Sequence, residues 1–191
     1  MKHRYQLMLA AMTLLAVVFS ADLGATSPKE LLASGEQLEE QGELDSAMVM
    51  YSLAIDADSS SFEPYLMKGQ VLCKLARPED AVTCFNAVLA MDSTYADAYF
   101  YRGCSWLVGS GTRASSPSNA AADFSSALKY GFDNPRIYYH LAYARERLGD
   151  TLAAIEDYKT YLLKTYDTET RTAERARGRI SELEAGLRES K

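Results

Sequence analysis

A 34-residue interval recurs along this chain of 191 residues. Gly35 returns as Gly69 and again as Gly103, always at that spacing. Further residues repeat at the same interval, with Ala47, Tyr51, Ala120 and Phe124 followed by Ala81, Phe85, Ala154 and Tyr158. A fixed period of this length is typical of stacked supersecondary units, none of which buries its hydrophobic face alone. The chain is therefore expected to form a repeat array rather than one wound core.

Capping residues predict where the helices of each unit begin and end. Ser27 can cap a helix that has Pro28 in its first turn and Glu30 reaching back to the cap, and Gly42 suits the turn after that helix. Proline opens later helices at Pro78 and after Asn134. These signals predict pairs of helices joined by tight turns, in units spanning residues 28–61, 62–95, 96–134 and 135–168.

The third unit departs from the period. Gly103 and Ala120 lie five residues further apart than the equivalent Gly69 and Ala81. The added residues fall within 109–118, a stretch rich in Gly, Ser and Pro. This composition predicts a mobile loop of unknown role between the two helices of the unit.

A charged helix is predicted over residues 169–191. Its apolar residues recur in steps of three and four, which gives a narrow stripe along one face. They are Ala173, Ala176, Ile180, Leu183 and Leu187. We interpret the segment as a helix that caps the last unit, because an array needs its final open face covered. A coiled-coil dimer seam is the alternative, and Gly178 and Gly186 make it a poor one.

The first residues have the layout of a secretory signal. Lys2 and Arg4 form a basic start, an uncharged apolar run covers residues 7–19, and small residues follow. Because the run is short for a membrane span, residues 1–21 are predicted to be a signal peptide, with an uncleaved anchor as the alternative. The short basic start favours the bacterial periplasm, and secretion or membrane anchoring by the N-terminal segment are the alternatives.

Charge disfavours nucleic acid as a partner. Loss of the leader removes two basic residues and changes the formal net charge from −6 to −8. An acidic protein repels phosphate backbones, and its charges are spread along the predicted helices as on a solvated surface.

The sequence offers little for catalysis or for metal binding. Cys73, Cys84 and Cys104 have no metal-ligand spacing; we expect small buried residues, with one disulfide pair as the alternative. Structural zinc ligands come in closely spaced pairs, which disfavours a site formed by these cysteines and His140. No phosphate loop and no nucleophile elbow is present. We therefore predict a protein that is not an enzyme and needs no metal or cofactor.

Four columns of the repeat resemble the tetratricopeptide repeat. The resemblance covers residues 28–168 and rests on an aromatic or Leu at the fourth position, a small residue at the eighth, Ala at the twentieth and an aromatic at the twenty-fourth. At the eighth and the twenty-fourth positions the residues are Gly35, Gly69, Gly103 and Ala142, and Tyr51, Phe85, Phe124 and Tyr158. The resemblance implies an all-α, right-handed helical solenoid of four helix-turn-helix repeats plus a C-terminal capping helix.

The same resemblance implies a concave groove, lined by the first helix of each repeat, that binds a peptide or a partner helix. Carried onto this chain, the groove-facing positions give nine candidate partner-binding residues. They are Leu66, Lys74, Phe100, Cys104, Leu107, Arg136, Tyr139, Tyr143 and Arg147. Packing of Phe100 and Leu107 against neighbouring helices is the alternative.

These features predict an exported protein-interaction scaffold whose partner is another protein or a peptide. Glu36 and Glu39 lie where family members that grip a chaperone tail need other residues, which argues against that ligand. Two alternatives are a structural subunit of an envelope assembly that uses its convex face or capping helix, and a cell-wall glycan binder that uses its tyrosines.

Overall fold

The computed structural model describes residues 26–108, 115–165 and 170–189. The predicted signal peptide and most of the predicted loop at 109–118 lie outside the described residues. Within these ranges the chain forms nine α-helices and no β-strand. No helix of the described part combines the length and apolarity needed to cross a membrane.

The first of two compact units ends at Met91. Its helices are α1 (Pro28–Glu40), α2 (Leu44–Ala57), α3 (Glu63–Lys74) and α4 (Pro78–Met91). Each helix packs on the next one along the chain. The buried residues Ala47, Tyr51 and Val71 form a core cluster between the first three helices.

The second compact unit begins at Asp92. Its helices are α5 (Ala96–Val108), α6 (Pro117–Lys129), α7 (Arg136–Arg147), α8 (Thr151–Lys164) and α9 (Arg171–Glu189). Sequential helices pack together, and α5 also contacts α7. One cluster joins α5, α6 and α7 around Phe124, and another joins α7, α8 and α9 around Tyr158.

The predicted helix boundaries are largely confirmed. Ser27 and Glu30 form the reciprocal capping box, and Gly42 has a φ of 81° after α1. The interpretation of residues 109–118 as loop is wrong at its end, because Pro117 and Ser118 belong to α6. The Ser116 side chain caps that helix by accepting a hydrogen bond from the Asn119 amide.

Glycine at the repeat's eighth position is required by the ring that packs on it. A Cβ built on Gly69 would lie 2.6 Å from Cε1 of Phe85, and one built on Gly103 would lie 2.7 Å from Cε1 of Phe124. Both rings are fully buried. Close approach of the two helices in each hairpin therefore depends on the absence of a side chain at these positions.

The C-terminal helix α9 packs on the hairpin of α7 and α8, as predicted. Ala173 and Ala176 of α9 are fully buried against Ala142, Tyr158 and Tyr161. Ile180 and Leu183 pack against the same cluster. Its apolar stripe thus covers the last helical hairpin, and its other faces carry the charges.

Candidate functional site

The two candidate residues of the first unit differ in accessibility. Leu66 is buried in α3, so its side chain offers almost no surface to a partner. Lys74 is exposed at the end of α3, and its Nζ lies 2.6 Å from Oε1 of Glu39. Glu36, Glu39, Glu40 and Lys74 line a shallow pocket together, so this surface is mainly acidic.

Three candidate residues of α5 take part in the packing of the second unit. The Phe100 ring stacks on Phe132 with 4.3 Å between centroids, and Leu107 is buried. Phe100 and Cys104 pack against the core cluster that contains Leu107. These contacts correspond to the packing alternative rather than to an open groove.

The remaining four candidates lie on α7. Arg136 and Arg147 are at the two ends of the helix, and the Arg147 guanidinium donates a hydrogen bond of 3.1 Å to Oγ of Ser115. Tyr143 is 39% exposed, and Tyr139 is partly buried with its ring edge-on to Tyr158 and Tyr161. Tyr139 and Tyr143 line a cavity together.

That cavity, here called the α7–α9 groove, has a volume of about 500 Å³. It lies between α7, α8 and α9 within the second unit. Its lining residues are Tyr139, Tyr143, Glu146, Tyr158, Arg175, Gly178, Arg179 and Glu182. The site therefore combines the rings of Tyr139 and Tyr143 with four charged side chains.

Half of this lining comes from α9, which we interpreted from the sequence as a cap, or as an alternative contact surface, but not as part of a groove. A signal was present, because Ala176 follows Ala142 by 34 residues and both are fully buried. Thus α9 continues the repeat period, and it takes the place that the first helix of a further unit would have. The register predicts that α9 faces α7 and α8, but it does not predict which residues line the groove, because Tyr139 and Tyr143 correspond to Ala173 and Arg177.

One carboxylate of the groove is held in place by its neighbours. Glu146 accepts hydrogen bonds from the Tyr158 hydroxyl at 3.3 Å and from Nη2 of Arg179 at 2.5 Å. Arg179 also pairs with Glu182. The bond to Glu146 raises the pKa of Arg179, and burial together with Glu146 raises the pKa of Tyr158. Both groups keep their proton at neutral pH.

The first compact unit contains a similar arrangement, in which a buried tyrosine and a basic side chain bind one glutamate. The Tyr51 hydroxyl donates to Glu39 at 2.9 Å, and Lys74 of the next hairpin pairs with the same carboxylate. Burial and the Glu39 hydrogen bond raise the pKa of Tyr51. In the hairpin that carries Phe85 instead of a tyrosine, the residue equivalent to Glu39 is Cys73. At the twenty-fourth position of the repeat, the two tyrosines, Tyr51 and Tyr158, therefore each have a glutamate partner.

An ion pair at low exposure stabilises the hairpin of α5 and α6. Arg102 donates to Asp123 through Nε at 2.8 Å and through Nη2 at 2.7 Å, and the Trp106 indole donates to the same carboxylate at 3.0 Å. The equivalent carboxylate in the next hairpin is Asp157, which pairs at 2.7 Å with Arg145, a residue at the repeat position of Trp106. These groups pack inside the hairpins and away from the groove lining, so we assign them to stability.

His140 is the one histidine among the described residues, and it lies among aromatic rings. It stacks on Phe124 with centroids 5.9 Å apart, and it meets Phe100 and Tyr139 edge-on. Burial, with a smaller effect of Arg136, lowers its pKa to about 4 from 6.5. At neutral pH its imidazole is therefore uncharged and packed.

This environment predicts a pH-dependent stability. Between pH 6.5 and about 4 the unfolded chain binds a proton at His140 that the folded chain does not, so stability falls as the pH falls through this window. We expect His140→Phe to reduce that loss. Urea unfolding at pH values of roughly 7.5, 5.5 and 4.5, which span the window, measures it through the fluorescence of the single Trp106. Equal pH dependence in both proteins would contradict the assignment.

The described residues contain no cluster of three His, Cys, Asp or Glu side chains that could hold a metal ion. No disulfide joins the cysteines; Cys84 is buried, and Cys73 and Cys104 are partly buried. Burial raises the pKa of the Cys84 thiol, which makes it a poor nucleophile.

Comparisons with known proteins address the fold. Residues 113–169 match the tetratricopeptide repeat family model. No curated protein matches the chain. Among solved structures, MamA from residue 41 to its end, from Desulfovibrio magneticus RS-1, is 19% identical, with a TM-score of 0.66 over 75% of this chain and 78% of that one. TTC0263, a thermophilic TPR protein in Thermus thermophilus, is 16% identical, with a TM-score of 0.63 over 84% and 83%.

A third similar structure is the first TPR of Spaghetti (RPAP3), bound to the HSP90 peptide SRMEEVD. It is 20% identical, with a TM-score of 0.60 over 64% of this chain and 94% of that one. At these identities the similarity concerns the fold, and it confirms the predicted all-α solenoid. The family match confirms the tetratricopeptide resemblance for residues 113–169, which contain α6, α7 and α8.

Proposed function

We propose that the chain is an exported, non-catalytic protein-interaction scaffold that binds a peptide segment of a partner in the α7–α9 groove. The observation that carries this proposal is the pair Tyr139 and Tyr143, which line an open groove of about 500 Å³. Tyrosine suits an interface because its ring is apolar and its hydroxyl can form a hydrogen bond. The N-terminal sequence, with its basic start and apolar run, supports export.

The groove is poorly equipped for catalysis. Its Glu146 already accepts hydrogen bonds from Tyr158 and Arg179, and Glu182 is paired with Arg179. His140 packs among rings instead of facing the groove lining. A general base needs an accessible proton-accepting atom within reach of a substrate, and neither arrangement offers one. Binding without chemistry is the function that this geometry supports.

Substitution at Tyr143 tests the proposal. We expect Tyr143→Glu to weaken capture of a partner from an envelope extract at least tenfold, since it places a charge where the partner's apolar surface would lie. The control is Leu163→Glu, because Leu163 is 86% exposed on α8 and lies outside the groove lining. Phe100 is unsuitable for this test, since its ring is part of the packing.

A structural subunit of an envelope assembly is the second candidate. Leu152 and Leu163 on α8 are 67% and 86% exposed, which favours a contact through the outer surface of that helix. Loss of the partner with Leu163→Glu and its retention with Tyr143→Glu would support this candidate and overturn the groove. A glycan ligand is tested by treating the envelope extract with protease before capture. If the extract then no longer binds the protein, a glycan ligand is excluded.

A further inference from the structure

We propose that the α7–α9 groove selects peptides by a carboxylate, which Arg175 binds beside the ring of Tyr139. This inference rests on the proposed function and specifies the chemistry of the ligand. The carboxylate is supplied by an Asp or Glu side chain or by the C-terminus of the peptide. Apolar residues next to it pack on Tyr139 and Tyr143.

Among the residues that the structure describes, one basic side chain of the groove has no acidic partner. Arg179 binds both acidic side chains of the lining, through Nη2 and Nε to Glu146 and through Nη1 to Glu182. The side chain of Arg175 is exposed and makes no hydrogen bond or ion pair with any residue that the structure describes. The formal charges of the four charged side chains of the lining sum to zero, with Arg179 shared by Glu146 and Glu182 and with Arg175 lacking an acidic partner among the described residues. Arg175 can therefore pair locally with one carboxylate of a ligand.

The position of Arg175 makes it suitable for this role. It lines the groove together with Tyr139, and its charge acts on the Tyr139 hydroxyl, partly opposing the rise in pKa that burial causes there. A guanidinium presents a planar fork of donors that fits a carboxylate with two parallel hydrogen bonds. A carboxylate bound there would lie at the edge of the tyrosine surface.

Gly178 keeps the groove open. It lies three residues after Arg175 on α9, and a Cβ built on it would meet nothing within 4 Å. Gly35, Gly69 and Gly103 differ, since a ring occupies the place of their side chain. Glycine inside a helix is unfavourable, and packing does not require it at 178. Its absent side chain instead leaves space beside Arg175 and Tyr143.

The chain offers a matched control for this position. Gly186 lies about two turns further along α9, also with nothing within 4 Å of a built Cβ, and it is absent from the groove lining. Leucine at either position replaces a poor helix former by a good one. Gly178→Leu and Gly186→Leu should therefore both raise the midpoint of thermal unfolding, while the first alone fills the groove.

The experiment begins with a display library of random short peptides, selected on the wild-type protein. The tightest peptide is synthesised with each Asp or Glu replaced by its amide counterpart, and with a free or an amidated C-terminus. Fluorescence anisotropy then gives the affinity of every peptide for wild type, Arg175→Gln, Gly178→Leu and Gly186→Leu. The replaced residue or terminus that weakens binding identifies the source of the carboxylate.

We expect loss of one carboxylate to weaken binding to wild type at least tenfold and to leave binding to Arg175→Gln nearly unchanged. Gly178→Leu should lose the peptide, and Gly186→Leu should bind like wild type. If Arg175→Gln discriminates acid from amide as well as wild type does, the carboxylate contact is overturned while peptide binding stands. If Gly178→Leu also binds the peptide like wild type, the groove itself is excluded and the proposed function fails as well.

Discussion

Replacing Asp123 by alanine should lower the free energy of unfolding by about 3 kcal/mol, in the range for removing one partner of a buried ion pair. Asp123 is 5% exposed and accepts three hydrogen bonds, two from Arg102 and one from Trp106. Urea unfolding measures the change, and the fluorescence of Trp106 reports on it directly because the indole loses its acceptor.

Asp157→Ala is the matched comparison, since Asp157 lies 34 residues after Asp123 and pairs with Arg145. One hydrogen bond from Arg145 reaches Asp157 in this structure, and the pair is more exposed. We expect a loss of about 1–2 kcal/mol, as is typical of a hydrogen bond between charged groups. A larger loss with Asp157→Ala than with Asp123→Ala would contradict the role assigned to the three-bond arrangement.

Phe85→Ala should cost about 3–5 kcal/mol, because it leaves a cavity in place of a fully buried ring. Gly69→Ala should cost about 1–3 kcal/mol, since its Cβ would enter that ring at 2.6 Å. In the double variant the ring is absent and the alanine gains space. We therefore expect Gly69→Ala to be neutral or stabilising in the Phe85→Ala background, as measured by urea unfolding with circular dichroism.

This double-mutant cycle isolates the contact between the two positions. Additive costs for the two substitutions would show that glycine at 69 is needed for another reason than the ring of Phe85. Gly178→Ala serves as a further reference, because no atom lies within 4 Å of its built Cβ. The same substitution should there stabilise the helix by about 1 kcal/mol.

The sequence was sufficient to predict the parts of the fold that depend on local sterics. Gly69 and Phe85 recur with a fixed separation because one ring needs one missing side chain, and the structure brings them together. The cap at Ser27 is equally local, since Ser27 and its partner Glu30 are three residues apart. Such features depend on residues that are close together in the sequence. They can therefore be predicted without knowing how distant parts of the chain pack.

The direction in which a side chain faces could not be predicted in the same way. Phe100 occupies a groove-facing position of the family pattern, yet Phe132, which follows α6, stacks on it and makes it part of the packing. Whether a ring is open or covered depends on a residue from a distant part of the chain. The repeat pattern contains no information about that residue, because the third unit departs from the period.

The role of α9 was missed for a related reason. Arg175 and Arg179 look like ordinary surface charges in a helix that is charged throughout. They become groove residues only because Ala176 fixes the rotation of α9 against Tyr158. The register of Ala176 with Ala142 indicated that α9 packs like the first helix of a further repeat, but it did not indicate that Arg175 and Arg179 line a groove. The two tyrosines of α7, by contrast, could be chosen from sequence because their position and their chemistry agree.

The most direct test of the groove is a nuclear magnetic resonance titration of the protein with the selected peptide. The backbone amides of Gly178 and Gly186 lie on the same helix, and Gly178 lines the groove. We expect the amide signals of Gly178, Arg175 and Tyr143 to shift with increasing peptide and that of Gly186 to stay in place. Shifts confined to the surroundings of Leu152 and Leu163, with Gly178 unmoved, would contradict binding in the α7–α9 groove.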